Sequence, residues 1–432
     1  MDLLQALFLL LVFLPVFFLL SGSIFTSHSF YYDAQANLLL LPLPIGSVFC
    51  FLGIAFLLRL EKKHFGMGVI FSIFTLMVFS VIVSSGESDK ADLAKFILLA
   101  QFVLPIFGFV LGSLYLSPKS DYLRYEAIAL YVLLLIIPLE VIATLMKGNG
   151  QLYPNLYVFS LYQHLQYLPV IFVGLYFLTI NSLHQNNRLR ILVLFLAPWM
   201  GIYLAASLSI LAMVLGVLGV IVSLWFSNKS SKRWYVIIVV IFLCSSFTIY
   251  YPNAQATSTY ALKFSNDELA IHKNETITAK EISIQEHSPF DELLTALPNN
   301  LTERFHYWRF YGEGIFESPK IFLFGHPARP DRNTYPSAHN YYLDLIYHFG
   351  IITSLPIIYL IFVTMRNCFR VMVKGKLTSE LAMTMVLVGF FVFIDNSLKV
   401  GFRQPYSGMV MFFLWGVLLI KLSNYDEKRT WS

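Results

Sequence analysis

Apolar runs of about 20 residues recur along most of this chain, and they constrain its fold more than any other feature. A helix of that length spans the roughly 30 Å of hydrocarbon in a bilayer. Backbone groups in lipid must be paired within their own segment, so runs this long and uniformly apolar predict helices rather than barrel strands. The composition agrees, with 57% hydrophobic and 13% charged residues. The sequence therefore predicts an all-α polytopic membrane protein.

We place about 12 candidate spans along the chain. The first run lacks a basic preceding region and a small-residue cleavage site, so we expect a retained span and not a signal peptide. The region from 189 to 226 is consistent with two short helices that turn near "AASLS" or with one long broken helix. The spans lie near residues 3–20, 38–59, 66–85, 95–116, 124–146, 155–180, 189–205, 208–226, 234–250, 341–365, 381–397 and 405–421.

The distribution of positive charge predicts the orientation, because Lys and Arg collect on the cytoplasmic side of short loops. With both termini in the cytoplasm, most basic residues fall on that side. Merging spans seven and eight would move "SNKSSKR" outside, so we keep them separate. The same loops account for the net charge of +5, and nucleic acid is not an expected partner. The short outer loops then hold only Lys90, Lys95, Lys147, Lys399 and Arg403.

Three regions follow from this layout. Residues 1–250 carry spans one to nine, residues 251–340 form a large outer loop, and residues 341–432 carry spans ten to twelve and a short cytoplasmic tail. From Leu301 onward the loop is aromatic and basic, which suits a cap packed on the membrane surface. Cys50, Cys244 and Cys368 lie in or beside spans, so no disulfide framework or cysteine metal site is expected.

Ionisable residues inside the spans gather toward the predicted outer leaflet. Such residues are costly in lipid and are candidates for function. Glu140 and His164 are our candidates for substrate binding, although hydrogen bonding across helices is an equal alternative. Asp344 suits a charge at a helix N-terminus, and His348, one turn further on, is its natural partner. Asp395 marks the outer end of span eleven.

One stretch at the mouth of span ten resembles a known family. The segment "RFHYWRFYGEGIFESPKIFLFG", followed by "SAHNYYLDLIYHFGII", is similar to the signature of the O-antigen ligase and polymerase superfamily. Two departures from that pattern leave ligase and polymerase open. Leu208 or Ile210 stands where many relatives have arginine, and His326 follows Gly325 where a second glycine is usual. The matching residues, in order, are Arg304, Trp308, Pro319, Phe324, Gly325, His339, Asn340, Leu343 and Gly350.

The resemblance implies transfer of a glycan from an undecaprenyl-pyrophosphate carrier to a hydroxyl acceptor at the periplasmic face of a bacterial inner membrane. The acceptor would be lipid A-core for a ligase and a growing glycan for a polymerase. His339 is the expected catalytic base, because histidine titrates near neutral pH. Asn340 and Tyr342 are expected to contact substrate, and no metal or other cofactor is implied. Arginines suit the diphosphate, and the expected set is Arg304, Arg309, Arg329, Arg332 and Arg403.

Other interpretations remain open at this point. His339 could be an interfacial helix cap, and Arg304 could pair with Glu303 or Glu313. A transporter or flippase for the same lipid-linked sugar is the alternative function, although transporters place their binding residues at the midplane of repeated halves. A membrane scaffold or sensor would not need a histidine and arginines at one mouth.

Overall fold

A computed structural model describes residues 2–14, 65–85, 93–115, 120–147, 152, 167–183, 186–226, 232–249, 299–327, 329–330, 335, 337–375 and 377–427. Of these residues, 88% are helical and none lies in a strand. The all-α prediction is therefore confirmed for the described part of the chain. Span two, residues 251–298 of the predicted outer loop and the end of the tail lie outside it.

We number the described helices in chain order. They are α1 Asp2–Phe13, α2 Phe65–Ser85, α3 Leu93–Val103, α4 Phe107–Ser113, α5 Tyr125–Lys147, α6 Leu168–Ser182, α7 Asn187–Ser207, α8 Ile210–Trp225, α9 Lys232–Ile249, α10 Asn299–Ile315, α11 Pro319–Phe324, α12 Tyr341–Val373, α13 Ser379–Gly389 and α14 Pro405–Glu427. A π-helical segment, Phe390–Asp395, and one turn, Asn396–Leu398, continue α13.

Seven of the described helices are long and apolar enough to cross a membrane. They are α2, α5, α7, α9, α12, α13 with its extension, and α14. The apolar parts of α1, α6, α8 and the α3–α4 pair are shorter. The structure thus supports a multi-pass membrane protein, whereas the full set of about 12 spans stays a prediction.

The ambiguous region after residue 189 forms two helices. Asn186 begins α7 by accepting hydrogen bonds from the backbone N–H groups of Arg188 and Leu189. The helix ends where Leu208 adopts a left-handed backbone, with φ of 51°. The Leu204 side chain of α7 then packs on Gly216 of α8. The prediction of two helices that turn near "AASLS" is confirmed.

The centre of the bundle is α14, whose apolar window is 78% buried. It packs closely on α4, because Gly108 and Gly112 of α4 and Gly416 of α14 remove side chains from the contact. A Cβ on Gly108 or Gly112 would lie 2.1 Å from the carbonyl oxygen of Met409 or Phe413, respectively. Small residues commonly allow such close packing between membrane helices, where no water-driven force pulls the helices together.

The helix ends meet at two opposite ends of the bundle. At one end Arg124 and Lys421 both contact Glu380, and Ser379 donates a hydrogen bond to the carbonyl of Asn181. At the other end the starts of α12 and α14 come together, since Arg403 pairs with Asp344. The loop assignments made from the basic residues place these same helix ends together. Which end faces the cytoplasm stays a prediction.

Candidate functional site

His339 lies between α11 and α12, in a segment that we call the arm and that comprises the described residues 325–327, 329–330, 335 and 337–340. Its backbone φ is 48°, a left-handed conformation that is uncommon for a residue with a side chain. The next residue, Asn340, caps α12 by accepting hydrogen bonds from the N–H groups of Tyr342 and Leu343 at 3.0 and 3.1 Å. Helix α10 supplies the neighbouring ring, because Tyr307 stacks on the His339 imidazole with centroids 5.6 Å apart. The chain thus fixes His339 from both sides.

Arg304 connects α10 to the turn that follows α13. Its guanidinium donates a hydrogen bond of 2.8 Å to the carbonyl oxygen of Leu398. The adjacent carbonyl, on Lys399, accepts a hydrogen bond of 3.0 Å from the N–H of Tyr341, two residues after His339. Arg304 and Tyr307 are three residues apart on α10 and therefore share a face. One helix face accordingly contacts both the Leu398 turn and the arm.

Arg403 enters from the turn before α14. It forms an ion pair with Asp344, which is fully buried in the first turns of α12. Its guanidinium also lies 5.8 Å from the centre of the Phe102 ring. The second carboxylate oxygen of Asp344 accepts a hydrogen bond of 3.3 Å from the N–H of Ala338, the residue before His339. Arg304, His339 and Arg403 are therefore linked by short contacts through the Leu398–Lys399 backbone and Asp344.

We define the mouth cluster as the charged and ionisable residues that these contacts join. The cluster has three cationic side chains and two carboxylates, and each carboxylate pairs with one of the cations. Its members are Arg304, His339, Asp344, Asp395, Lys399 and Arg403.

Lys399 and Asp395 were noticed in the sequence but not proposed as site residues. Both are buried, and the Lys399 Nζ lies 3.5 Å from an Asp395 carboxylate oxygen. Burial lowers the pKa of Lys399 and the Arg304 charge lowers it further, whereas Asp395 raises it. Asp395 ends a π-helical segment, a geometry often found at functional sites. The sequence signal that could have identified this pair is an acidic residue inside span eleven, four residues before a lysine.

Tyr167 was also missed. Its ring faces the Lys399 ammonium at 5.6 Å. The sequence drew attention to His164, three residues earlier, which lies outside the described residues.

A second group of contacts seats the arm on the bundle. The buried Lys95 ammonium donates hydrogen bonds to Ser84 Oγ and to the carbonyl oxygen of His326. The His326 ring stacks on Tyr347 of α12 with centroids 4.1 Å apart, and its Nε2 lies 2.9 Å from the carbonyl oxygen of Gly314. Burial lowers the pKa of His326, so the neutral imidazole is favoured.

The remaining predicted residues are placed differently. Arg309 is exposed on α10 and its Nε donates to Glu313 at 2.8 Å. Arg329 is half-buried. Glu140 is buried on α5. Arg332, like His164, lies outside the described residues.

Asn340 and Tyr342, predicted to contact substrate, have structural contacts. The Asn340 side chain caps α12. The Tyr342 hydroxyl donates a hydrogen bond of 2.6 Å to the carbonyl oxygen of Val392 in the π-helical segment. These bonds hold the mouth cluster on α12 and on the extension of α13.

An apolar groove opens elsewhere, between α7, α8 and α9. It encloses about 780 Å³, including open solvent, and its walls include Leu204, Met213 and Phe247. None of the predicted site residues lines it.

Comparison of the chain with protein-family models, with curated proteins and with solved structures finds no match. The resemblance to O-antigen ligases and polymerases therefore rests on the motif at the mouth of α12. It stays a prediction.

Proposed function

We propose that this protein is a membrane glycosyltransferase that moves a glycan from undecaprenyl-pyrophosphate to a hydroxyl acceptor. The closest functional description is an O-antigen ligase, with lipid A-core as the acceptor. A single observation carries the proposal most strongly. Arg304, His339 and Arg403, which the motif and the charge pattern single out, are joined by short contacts at one end of the bundle.

The proposed reaction divides its tasks between these side chains. The acceptor oxygen forms a bond to the anomeric carbon while the bond from that carbon to the pyrophosphate oxygen breaks. The bonding electrons leave with the pyrophosphate, and the acceptor proton passes to the His339 imidazole. Arg304 and Arg403 stabilise the charge that grows on the diphosphate, because guanidinium groups are always charged and bind phosphate oxygens bidentately. The polyprenyl tail of the donor stays in the bilayer.

The proposal includes an orientation. The mouth cluster faces the periplasm and both termini face the cytoplasm of a bacterial inner membrane, as the basic loops predict. Lys320 on α11 and Lys374 after α12 are exposed and suit a labelling test. In a chain whose cysteines are replaced by serine, Lys320→Cys should react with an impermeant maleimide from the periplasm. Lys374→Cys should react only after the inner membrane is opened, and the reverse pattern would refute the orientation.

The decisive experiment replaces His339 by alanine in the native host. If His339 takes the acceptor proton, His339→Ala should abolish transfer while the protein remains folded and in the membrane. His306→Ala is a matched control, because His306 is exposed on α10, the helix that also carries Arg304 and Tyr307. Full transfer by His339→Ala would refute the proposed role.

The products of the deletion strain separate the alternatives. A ligase predicts lipopolysaccharide without O-antigen and accumulation of long lipid-linked chains outside the membrane. A polymerase predicts a cap of one repeat unit on the lipid A-core. A flippase predicts lipid-linked sugar retained on the cytoplasmic side, and a scaffold predicts that His339→Ala has no effect.

A further inference from the structure

We infer that Asp344 is a positioning residue that sets the relative geometry of His339 and Arg403. The inference rests on the proposed transfer reaction and deepens it. Asp344 does not act on the substrate itself in this scheme. It acts through the two groups that do.

The contacts of Asp344 join three parts of the chain. Its carboxylate pairs with Arg403 from the turn before α14 and accepts the N–H of Ala338 from the arm. It also lies 3.7 Å from the Nε2 of His348, one turn further along α12. Because the carboxylate is fully buried, it depends on these partners to offset the loss of water.

The bond from Ala338 matters because of the residue that follows it. His339 has a left-handed backbone, a strained conformation that persists only where the surrounding structure imposes it. Asp344 fixes the peptide that enters His339, and the Asn340 cap fixes the peptides that follow. A single side chain thus anchors both the arm of the base and the guanidinium assigned to the diphosphate.

A simpler role for Asp344 is a negative charge that stabilises the start of α12 through the helix dipole. That role needs neither burial nor a guanidinium partner. The two roles predict different turnover of the folded protein for two substitutions, Asp344→Asn and Asp344→Glu. Asp344→Asn keeps an oxygen for the Ala338 N–H but removes the charge that orients Arg403, whereas Asp344→Glu restores the charge on a longer side chain.

The test uses the full chain in proteoliposomes, with undecaprenyl-pyrophosphate-linked glycan as donor and lipid A-core as acceptor. Misplacement of reacting groups by about 1 Å can cost about 100-fold in rate. We expect Asp344→Asn to lower the melting temperature, because the largely buried Arg403 loses its carboxylate, and also to lower kcat by about 10–100-fold per folded protein. Asp344→Glu should recover part of both losses. Glu313→Gln, which removes an exposed carboxylate on α10, is the matched control and should retain full turnover.

Two outcomes would overturn the inference. The first is an Asp344→Asn protein with wild-type kcat and donor KM. The second is a loss of turnover that matches a loss of folded protein, because a purely structural role predicts that correspondence. Failure of the proposed function is distinct, since the wild-type protein would then transfer no glycan or His339→Ala would transfer it normally.

Discussion

Gly325 and Gly350 lie backbone against backbone. A Cβ on Gly350 would come within 2.1 Å of the carbonyl oxygen of Leu323, and a Cβ on Gly325 within 2.4 Å of the carbonyl carbon of His348. Both glycines have φ of +76°, and Gly350 interrupts α12 with a non-helical backbone. The end of α11 therefore seats in the break of α12, and this contact holds the arm of His339 against the membrane helices.

Gly350→Ala should destabilise the protein by about 2–4 kcal/mol, because the new methyl group adds overpacking to an unfavourable positive φ. The midpoint of thermal or denaturant unfolding in detergent measures the change. Gly312→Ala is the matched control, since a Cβ at Gly312 of α10 meets no atom within 4 Å. The Gly312→Ala substitution should leave the free energy of unfolding unchanged or raise it slightly. Equal behaviour of the two variants would contradict the packing argument.

Arg403→Lys should reduce transfer by about tenfold or more, since a lysine keeps the charge but loses the planar, bidentate donor set. The donor concentration dependence of transfer in proteoliposomes checks this. Arg309→Gln provides the comparison, because Arg309 pairs with Glu313 at an exposed position where an ion pair contributes about 0–1 kcal/mol. Wild-type transfer by Arg403→Lys would count against a diphosphate contact.

Thermal stability should fall when the pH is lowered from about 7.5 to about 5.5. Burial lowers the pKa of His326 in the folded protein, so the unfolded chain binds the proton first. The stabilisation is complete above the unfolded pKa of about 6.5 and is lost as the pH falls below it. His326→Phe keeps the stacking surface on Tyr347 and should flatten the dependence.

The His306→Gln variant controls for the loss of an exposed histidine elsewhere in the chain. It should retain the pH dependence of the wild type. If His326→Phe and His306→Gln give the same slope as the wild type, His326 is not the titrating group.

Glu126→Gln should destabilise the opposite end of the bundle by about 1–3 kcal/mol, since it leaves two cations with one fewer carboxylate. Arg124 and Lys421 each lie 3.2 Å from the buried Glu126 carboxylate, and both also contact Glu380. Unfolding midpoints in detergent measure the loss. Glu313→Gln, at an exposed pair, should change stability by less than about 0.5 kcal/mol.

The helical class and the grouping of helix ends could be predicted because they follow from local properties, namely apolar run length and basic loops. The break near Leu208 was predicted from charge placement. Its left-handed backbone was not, because no glycine or asparagine marks that turn.

The contacts of the site were less accessible to sequence reasoning. The motif placed Arg304 and His339 near one span, but the contact of Arg304 with Leu398 joins residues 94 positions apart. Lys95 and Tyr167 were passed over for the same reason, since their partners His326 and Lys399 are distant in sequence. Nothing in a local pattern specifies such pairs.

The interruption of α12 also has a mechanical consequence. A continuous helix would carry any tilt of residues 351–373 directly to His339, whenever the bilayer thins or thickens around the protein. The joint at Gly350 gives residues 341–349 their own axis, and the contact with Gly325 attaches them to α11 instead. The position of the mouth cluster therefore depends on the contact with α11 as well as on the tilt of residues 351–373.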